Sequence, residues 1–176
     1  RGLLYLPEVA DEVRVGFENV RQAWARAVRL GWIEEIDSAL SALAMACAYR
    51  NRPAEDLGLF RSAADRLLAM ANDHAEARRV ARRLLVAQAE CSFRLADLRA
   101  VSDMAAVLVD LARRDGDVIS EARGLDLMGR AAWYGGDLDR ARTHLQGAVV
   151  LTREALAAAP DQVPLARSLT SCLNSL

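Results

Sequence analysis

Lysine is absent: all 23 basic residues of the chain are arginine. Chemistry that needs a lysine amine, such as a Schiff base or a Walker-type phosphate loop, is thereby excluded. Glycine (10) and proline (4) are sparse, whereas alanine and leucine alone fill 60 of the 176 positions. That balance favours helices over sheets. Cys47, Cys91 and Cys172 lie far apart with no CxxC spacing. A disulfide framework or zinc site is not expected, each thiol reads as a small buried apolar group, and a reducing cytoplasm is the simplest setting. An excess of either charge is also missing: 24 acids face 23 bases, for a net charge of −1. No global field draws the chain to nucleic acid or to an anionic membrane. The longest early uncharged run, Ser38 to Tyr49, has 12 residues and is too short to span a bilayer.

What is present is a chain with 53% apolar residues, enough to bury a core in one domain or a short repeat array. Apolar residues recur at three- and four-residue spacing almost throughout, the helical period, and no stretch alternates as a strand would. Breakers at Gly31, Asn51-Arg52-Pro53, Asn72-Asp73, Arg94 to Asp97, Asp115-Gly116, Gly135-Gly136 and Pro160 punctuate the pattern. They predict about eight helices of about 15–22 residues joined by short turns. The predicted helices are Pro7–Leu30, Trp32–Arg50, Pro53–Ala71, Ala75–Phe93, Asp97–Arg114, Val118–Tyr134, Asp137–Ala159 and Asp161 onward. The first carries Val9, Val13, Phe17, Val20, Trp24 and Ala27 or Val28 on one stripe, which makes Trp24 a core residue, and Trp32 is placed to staple the first turn.

A short pattern recurs. Ala81-Arg82-Arg83-Leu84 matches Ala122-Arg123-Gly124-Leu125 and Ala166-Arg167-Ser168-Leu169 at spacings of 41 and 44, and Leu40 precedes Leu84 by 44. Each copy falls in an even-numbered helix. A helical hairpin of this length cannot bury its apolar face alone, so stacked neighbours must share one core. The sharpest copy reads Leu125, Met128-Gly129, Ala132, Gly136, Leu138, Ala141, Leu145, Ala148, with Gly129 and Ala141 small enough to let two helices approach closely. This resembles the tetratricopeptide repeat, with Ala132, Leu138 and Leu145 where that repeat carries aromatics, and with Ala44 and Gln88 where earlier copies would carry glycine. The resemblance implies an all-α fold: an α-solenoid of about four hairpins in a right-handed superhelical stack, forming a single domain over residues 1–176.

The stretch Phe17-Glu18-Asn19-Val20-Arg21-Gln22-Ala23-Trp24 with Ala27, then Gly31 and Asn51 to Ala63, resembles the lead into the helical-repeat region of large bacterial signal-transduction ATPases, the LuxR-type ATP-binding regulators. The resemblance implies an interaction or effector-sensing scaffold within a cytoplasmic regulator of transcription. The alternatives are a stand-alone adaptor for complex assembly or an α-helical enzyme with a spatially assembled site. Because Arg1 rather than Met opens the chain, a piece of a longer protein is expected. Ala166, Leu169 and Cys172-Leu173 replay the start of the sixth helix and leave Leu165, Leu169, Leu173 and Leu176 without a partner helix. Either the array continues, or two copies pair end to end as a homodimer.

Catalytic and metal signatures are weak. His74 and His144 stand 70 residues apart with no second ligand at helical spacing. Asp115, Asp117 and Asp137 stand at helix ends, where capping and the helix dipole account for them. No enzyme activity, metal or cofactor is expected. The cluster Arg78-Arg79-Arg82-Arg83 forms two adjacent strips, 78 with 82 and 79 with 83. Lacking aromatics for base stacking, it reads as a solvated or internally paired face rather than a nucleic-acid patch.

The candidate site follows from the repeat. In this repeat class the second residue of each first helix commonly faces the concave groove. That phase places Arg82, Arg123 and Arg167 there, with Ser38 in the leading copy, followed by Ser41, Met45 and Tyr49, by Leu85 and Ser92, by Asp126, Arg130 and Trp133, and by Thr170 and Asn174. Guanidinium groups on successive helices could grip carboxylates or phosphates bidentately, with Trp133 as an apolar wall, and this predicts a protein or peptide partner of acidic character. The competing reading is that these arginines pair with acids of neighbouring helices and brace the stack.

Overall fold

The computed structural model describes the backbone of residues 7–158 and 163–175, and the side chains of 16–158 and 163–175 other than Arg167 and Ser171. It is all-α, with eight helices and, among the described residues, no strand: α1 Pro7–Leu30, α2 Ile33–Arg50, α3 Pro53–Met70, α4 Ala75–Arg94, α5 Leu98–Asp115, α6 Val118–Tyr134, α7 Leu138–Ala158 and α8 Val163–Ser175. The ends fall where the breakers stand. Gly31 and Asn51 adopt left-handed backbone after α1 and α2, and Pro53 opens α3, where its missing N–H costs nothing.

Three consecutive turns are copies of one another. Ala96, Gly116 and Gly136 all have positive φ, and each is followed by an aspartate, at 97, 117 and 137. Each aspartate N–H donates to the carbonyl five residues back, on Ser92, Ala112 and Ala132 respectively (2.9–3.0 Å). Each side chain accepts from the backbone N–H three residues on, of Ala100, Ser120 and Arg140 (3.0–3.1 Å). One motif thus closes each helix and caps the next. Its interval is 20 residues per helix, or 40 per hairpin, shorter than the 41 and 44 read from the arginine–leucine pattern. Asp117 and Asp137 cap as expected. Asp115 does not: it ends α5, where the helix dipole disfavours it, and arginines of α4 hold it instead.

Contacts follow chain order. Each helix packs on the next. α2, α4, α6 and α8 also touch in succession, whereas α3 does not meet α5, nor α5 meet α7. Among the described residues no helix touches one more than two places away. The even-numbered helices therefore form one layer. The core follows the same order in three clusters. Phe17, Trp24, Ile36, Leu40, Phe60, Leu67 and Leu84 fill the first, across α1–α4. Leu85, Val101, Leu108 and Leu127 fill the second, and Ala122, Ala148, Val149 and Cys172 the third. Trp24 is buried as expected, edge-on to Phe60 at 6.4 Å, and its indole N–H donates to the Leu59 carbonyl. Val20 departs from the expected stripe and is exposed, and Val9 and Val13 lie outside the described side chains. At the far end Leu165 is buried and Leu169 half-buried on the third cluster, so of the three described leucines expected to be bare only Leu173 is exposed; Leu176 lies outside the described residues.

Two glycines set the closest crossings. A Cβ on Gly129 would stand 2.6 Å from Leu145 Cγ and 3.3 Å from the Ala141 carbonyl, and one on Gly124 would stand 2.6 Å from Val109 Cγ2. The expected approach of α6 and α7 at Gly129 and Ala141 is therefore present. The three cysteines are buried. Burial, with the Asp56 carboxylate close by, pushes the Cys47 thiol up to about 12, which leaves it protonated and unreactive near neutrality.

Alanine gains about 1 kcal/mol over glycine in a helix, but overpacking costs about 1–3 kcal/mol. At Gly129 the second effect wins, because the clashing atom is a branch carbon with backbone behind it. Gly129→Ala should lower the melting temperature by about 2–6 °C, while Gly58→Ala, which meets nothing within 4 Å, should raise it; thermal unfolding followed by circular dichroism checks both. Ala96 carries left-handed backbone at φ 58° without being glycine, a conformation costing about 1–2 kcal/mol for an L-residue. Ala96→Gly should therefore stabilise by about 1 kcal/mol in urea titration, and an unchanged midpoint would show that the turn carries no such strain.

Candidate binding face along the even-numbered helices

The four arginines of the first turns of α4 are all engaged, strip by strip. Arg79 and Arg83 reach Asp37 of α2, and Arg83 also donates to Ser41 Oγ at 2.8 Å. Arg78 and Arg82 reach Asp115, and Arg82 Nε lies 3.1 Å from Asp117. Burial raises the Asp115 carboxyl, but hydrogen bonds from Arg82 and Arg78 outweigh it and hold the group below the usual carboxylate range. Arg82, expected in the groove, is only 5% exposed. It is a brace instead, because the left-handed turn at Gly116 delivers both Asp115 and Asp117 to its guanidinium.

Arg123, Asp126 and Arg130 do come together. Arg123 NH2 lies 2.6 Å from Glu90 of α4, and its NH1 lies 3.0 Å from Asp126. Arg130 NH1 is 3.1 Å from Glu90 and 3.8 Å from Asp126, and its guanidinium lies 4.5 Å from the centroid of the Phe93 ring. The four charges form one knot joining α4 to α6. Asp126 is 1% exposed and its Oδ1 has no hydrogen-bond partner, so the two arginines carry nearly all its compensation. Burial, and after it the Asp126 charge, raise the Cys172 thiol of α8. The Arg167 side chain lies outside the described residues.

Around this knot the even-helix layer carries three adjoining clefts. The first, of about 520 Å³, lies between α2 and α4 over Phe60. The second, of about 490 Å³, is lined by Glu90, Phe93, Arg94, Leu98, Arg130 and Tyr134. The third, of about 600 Å³, lies among α6, α7 and α8 and includes Arg130, Trp133, Tyr134, Leu138, Arg142 and Asn174. Glu90 and Arg94 are shared by the first two, and Arg130 and Tyr134 by the last two. Trp133 is 57% exposed and Tyr134 62%, edge-on to each other at 4.8 Å, and Tyr134 continues to Phe93 at 6.0 Å. Arg94 and Arg142 have no carboxylate partner among the described residues; Arg94 touches only Cys91 Sγ, at 3.3 Å.

The expected phase holds on α2 for Ser41, which lines a cleft, and on α6 for Arg130 and Trp133, but it fails on α4. Leu85 and Ser92 are buried in the core, and Val86, Ala87, Glu90 and Arg94 face the cleft instead. Sequence reading passed over Glu90, Phe93, Arg94, Tyr134 and Arg142. The available signal was Glu90 with Arg94 at i, i+4, a shared face of α4. His74 precedes α4 without a capping hydrogen bond, and among the described residues no three of His, Cys, Asp and Glu gather as a metal site. No described helix is long and apolar enough to cross a membrane.

No family model, curated protein or solved structure matches the chain.

Removing Arg123 leaves Asp126 buried with most of its compensation gone, a change that costs about 3–5 kcal/mol when complete and less here because Arg130 remains nearby. Arg123→Ala should therefore lower stability by about 2–3 kcal/mol in chemical denaturation, and adding Asp126→Asn should recover most of that loss. A double variant as unstable as the single one would mean that the knot does not act through the buried carboxylate.

Proposed function

We propose that this chain is a binding scaffold, a tetratricopeptide-like α-solenoid of about four hairpins, whose even-helix face receives an acidic peptide segment of a partner protein. One observation carries the reading: the linings of the three clefts hold Arg83, Arg94, Arg130 and Arg142 against a single carboxylate, Glu90, and end at an exposed Trp133–Tyr134 pair. Tryptophan, tyrosine and arginine are the residue types that dominate binding energy at interfaces. Exposed neighbours of this kind on an otherwise well-buried helix favour contact with a partner. Arg94 and Arg142 supply positive charge that no acid among the described residues pairs with, so the matching ligand is anionic. Arg123 and Asp126 support the site from beneath.

Following the resemblance at Phe17 to Ala27, the scaffold would serve as the partner-sensing part of a cytoplasmic bacterial regulator. A change in helix stacking on binding would then pass to attached domains.

Random-peptide display on the purified chain tests the proposal. Enrichment of sequences rich in aspartate or glutamate is expected. The best of them should lose at least about tenfold in affinity with Trp133→Ala or Arg142→Gln, at unchanged melting temperature, and should weaken as salt is raised. Selection of neutral or basic sequences, or binding indifferent to both substitutions, rejects it.

A further inference from the structure

The first cleft differs in chemistry from the other two. Its floor and walls are apolar: Leu40 and Ala44 of α2, Phe60 of α3, and Val86, Ala87 and Cys91 of α4. It is open because α2 presents Ala44 and Ala48 opposite Ala87, three small side chains where larger ones would close the seam. Along α4 it runs from Arg83 to Arg94, three turns or about 16 Å at 1.5 Å per residue. Its polar groups are few and unequal. Arg83 is neutralised by Asp37 and held by Ser41. Glu90 is neutralised by Arg123 and Arg130. Arg94, exposed at one end, meets no carboxylate among the described residues and donates to the buried, protonated thiol of Cys91.

A narrow apolar trough with one uncompensated cation at its end matches a molecule with one anionic head and a hydrocarbon tail. We propose that the α2–α4 cleft binds an unbranched chain carboxylate, with the head on Arg94 and the tail over Phe60 and Leu40 toward Arg83. A guanidinium fork fits a carboxylate bidentately, and the tail takes a surface of Leu40, Val86 and Ala87 out of water. The trough and its Arg94 also belong to the face proposed for the peptide, so the two ligands would meet at Arg94, but the tests stay separable because the peptide test acts on Trp133 and Arg142 of the third cleft. Because α2 and α4 both line the trough, an occupant would bias their spacing and so the geometry of the even-helix layer.

Isothermal titration of the purified chain with decanoate, kept below its micelle-forming concentration, tests this. One saturable site per chain is expected, with decanol weaker and decyltrimethylammonium failing to compete. Arg94→Gln, an exposed change, should weaken decanoate at least about tenfold with the melting curve unchanged. Ala48→Leu, also exposed, should abolish binding by filling the trough; should it perturb the fold, Ala44→Leu fills the same space from one turn away. Arg142→Gln should leave decanoate binding as it was. Absence of a saturable site, equal binding by Arg94→Gln, or equal affinity for the cationic chain overturns the proposal.

Discussion

The first turns of α4 hold the molecule together. Four arginines there, arranged by helical spacing into two strips, reach in opposite directions: one pair to Asp37 on α2, the other to Asp115 where α5 ends. Coulomb attraction between such groups is modest at an exposed surface but grows where Arg82 and its partners are screened from water. The double clamp fixes α4 between α2 on one side and the end of α5 on the other, and that position in turn determines which side chains of α4 look outward. Glu90 and Arg94 reach the clefts because Arg79 and Arg83 are turned toward Asp37.

A second set of charges is paired within the fold. A chain with nearly equal acids and bases could scatter them as solvated pairs, yet here they sort by location. Arg123 and Arg130 converge on Glu90 and the buried Asp126, joining α4 to α6. Arg94 and Arg142, which make no ion pair among the described residues, both stand at cleft margins. The same packing that demands glycine at 124 and 129 draws α5, α6 and α7 close. The even-numbered helices, less tightly apposed to one another, are left as the layer where space remains.

Much of the fold was legible in the sequence, since proline, glycine and asparagine act through backbone geometry that needs no tertiary context. Pro53, Gly31, Gly116 and Gly136 mark helix limits to within a residue or two. Gly129 with Ala141 announced a close crossing because small residues at facing positions have few other uses. The candidate site was only half legible. On α6 the phase of Arg130 and Trp133 held, but on α4 a periodic pattern in which Leu84 and Leu85 are both apolar does not say which of them turns inward, and both do. Arg82 looked equivalent to Arg123 by alignment; what separates them is the acid each one meets, supplied by a turn on another helix. Ala96 was opaque for another reason: nothing in its identity signals left-handed backbone, and only the aspartates at 97, 117 and 137 betray the shared joint.

Those three joints have a consequence for how such a chain changes length. Because Ala96, Gly116 and Gly136 hand over to aspartate in the same geometry, the segment from Asp97 to Gly136 begins and ends on interchangeable couplings. Excising it would splice Ala96 onto Asp137 and rebuild a familiar corner, and duplicating it would insert a further hairpin without inventing a new one. Growth or shrinkage by whole hairpins is thus written into the backbone hydrogen bonding, while insertions of other sizes would have to break a coupling to be accommodated.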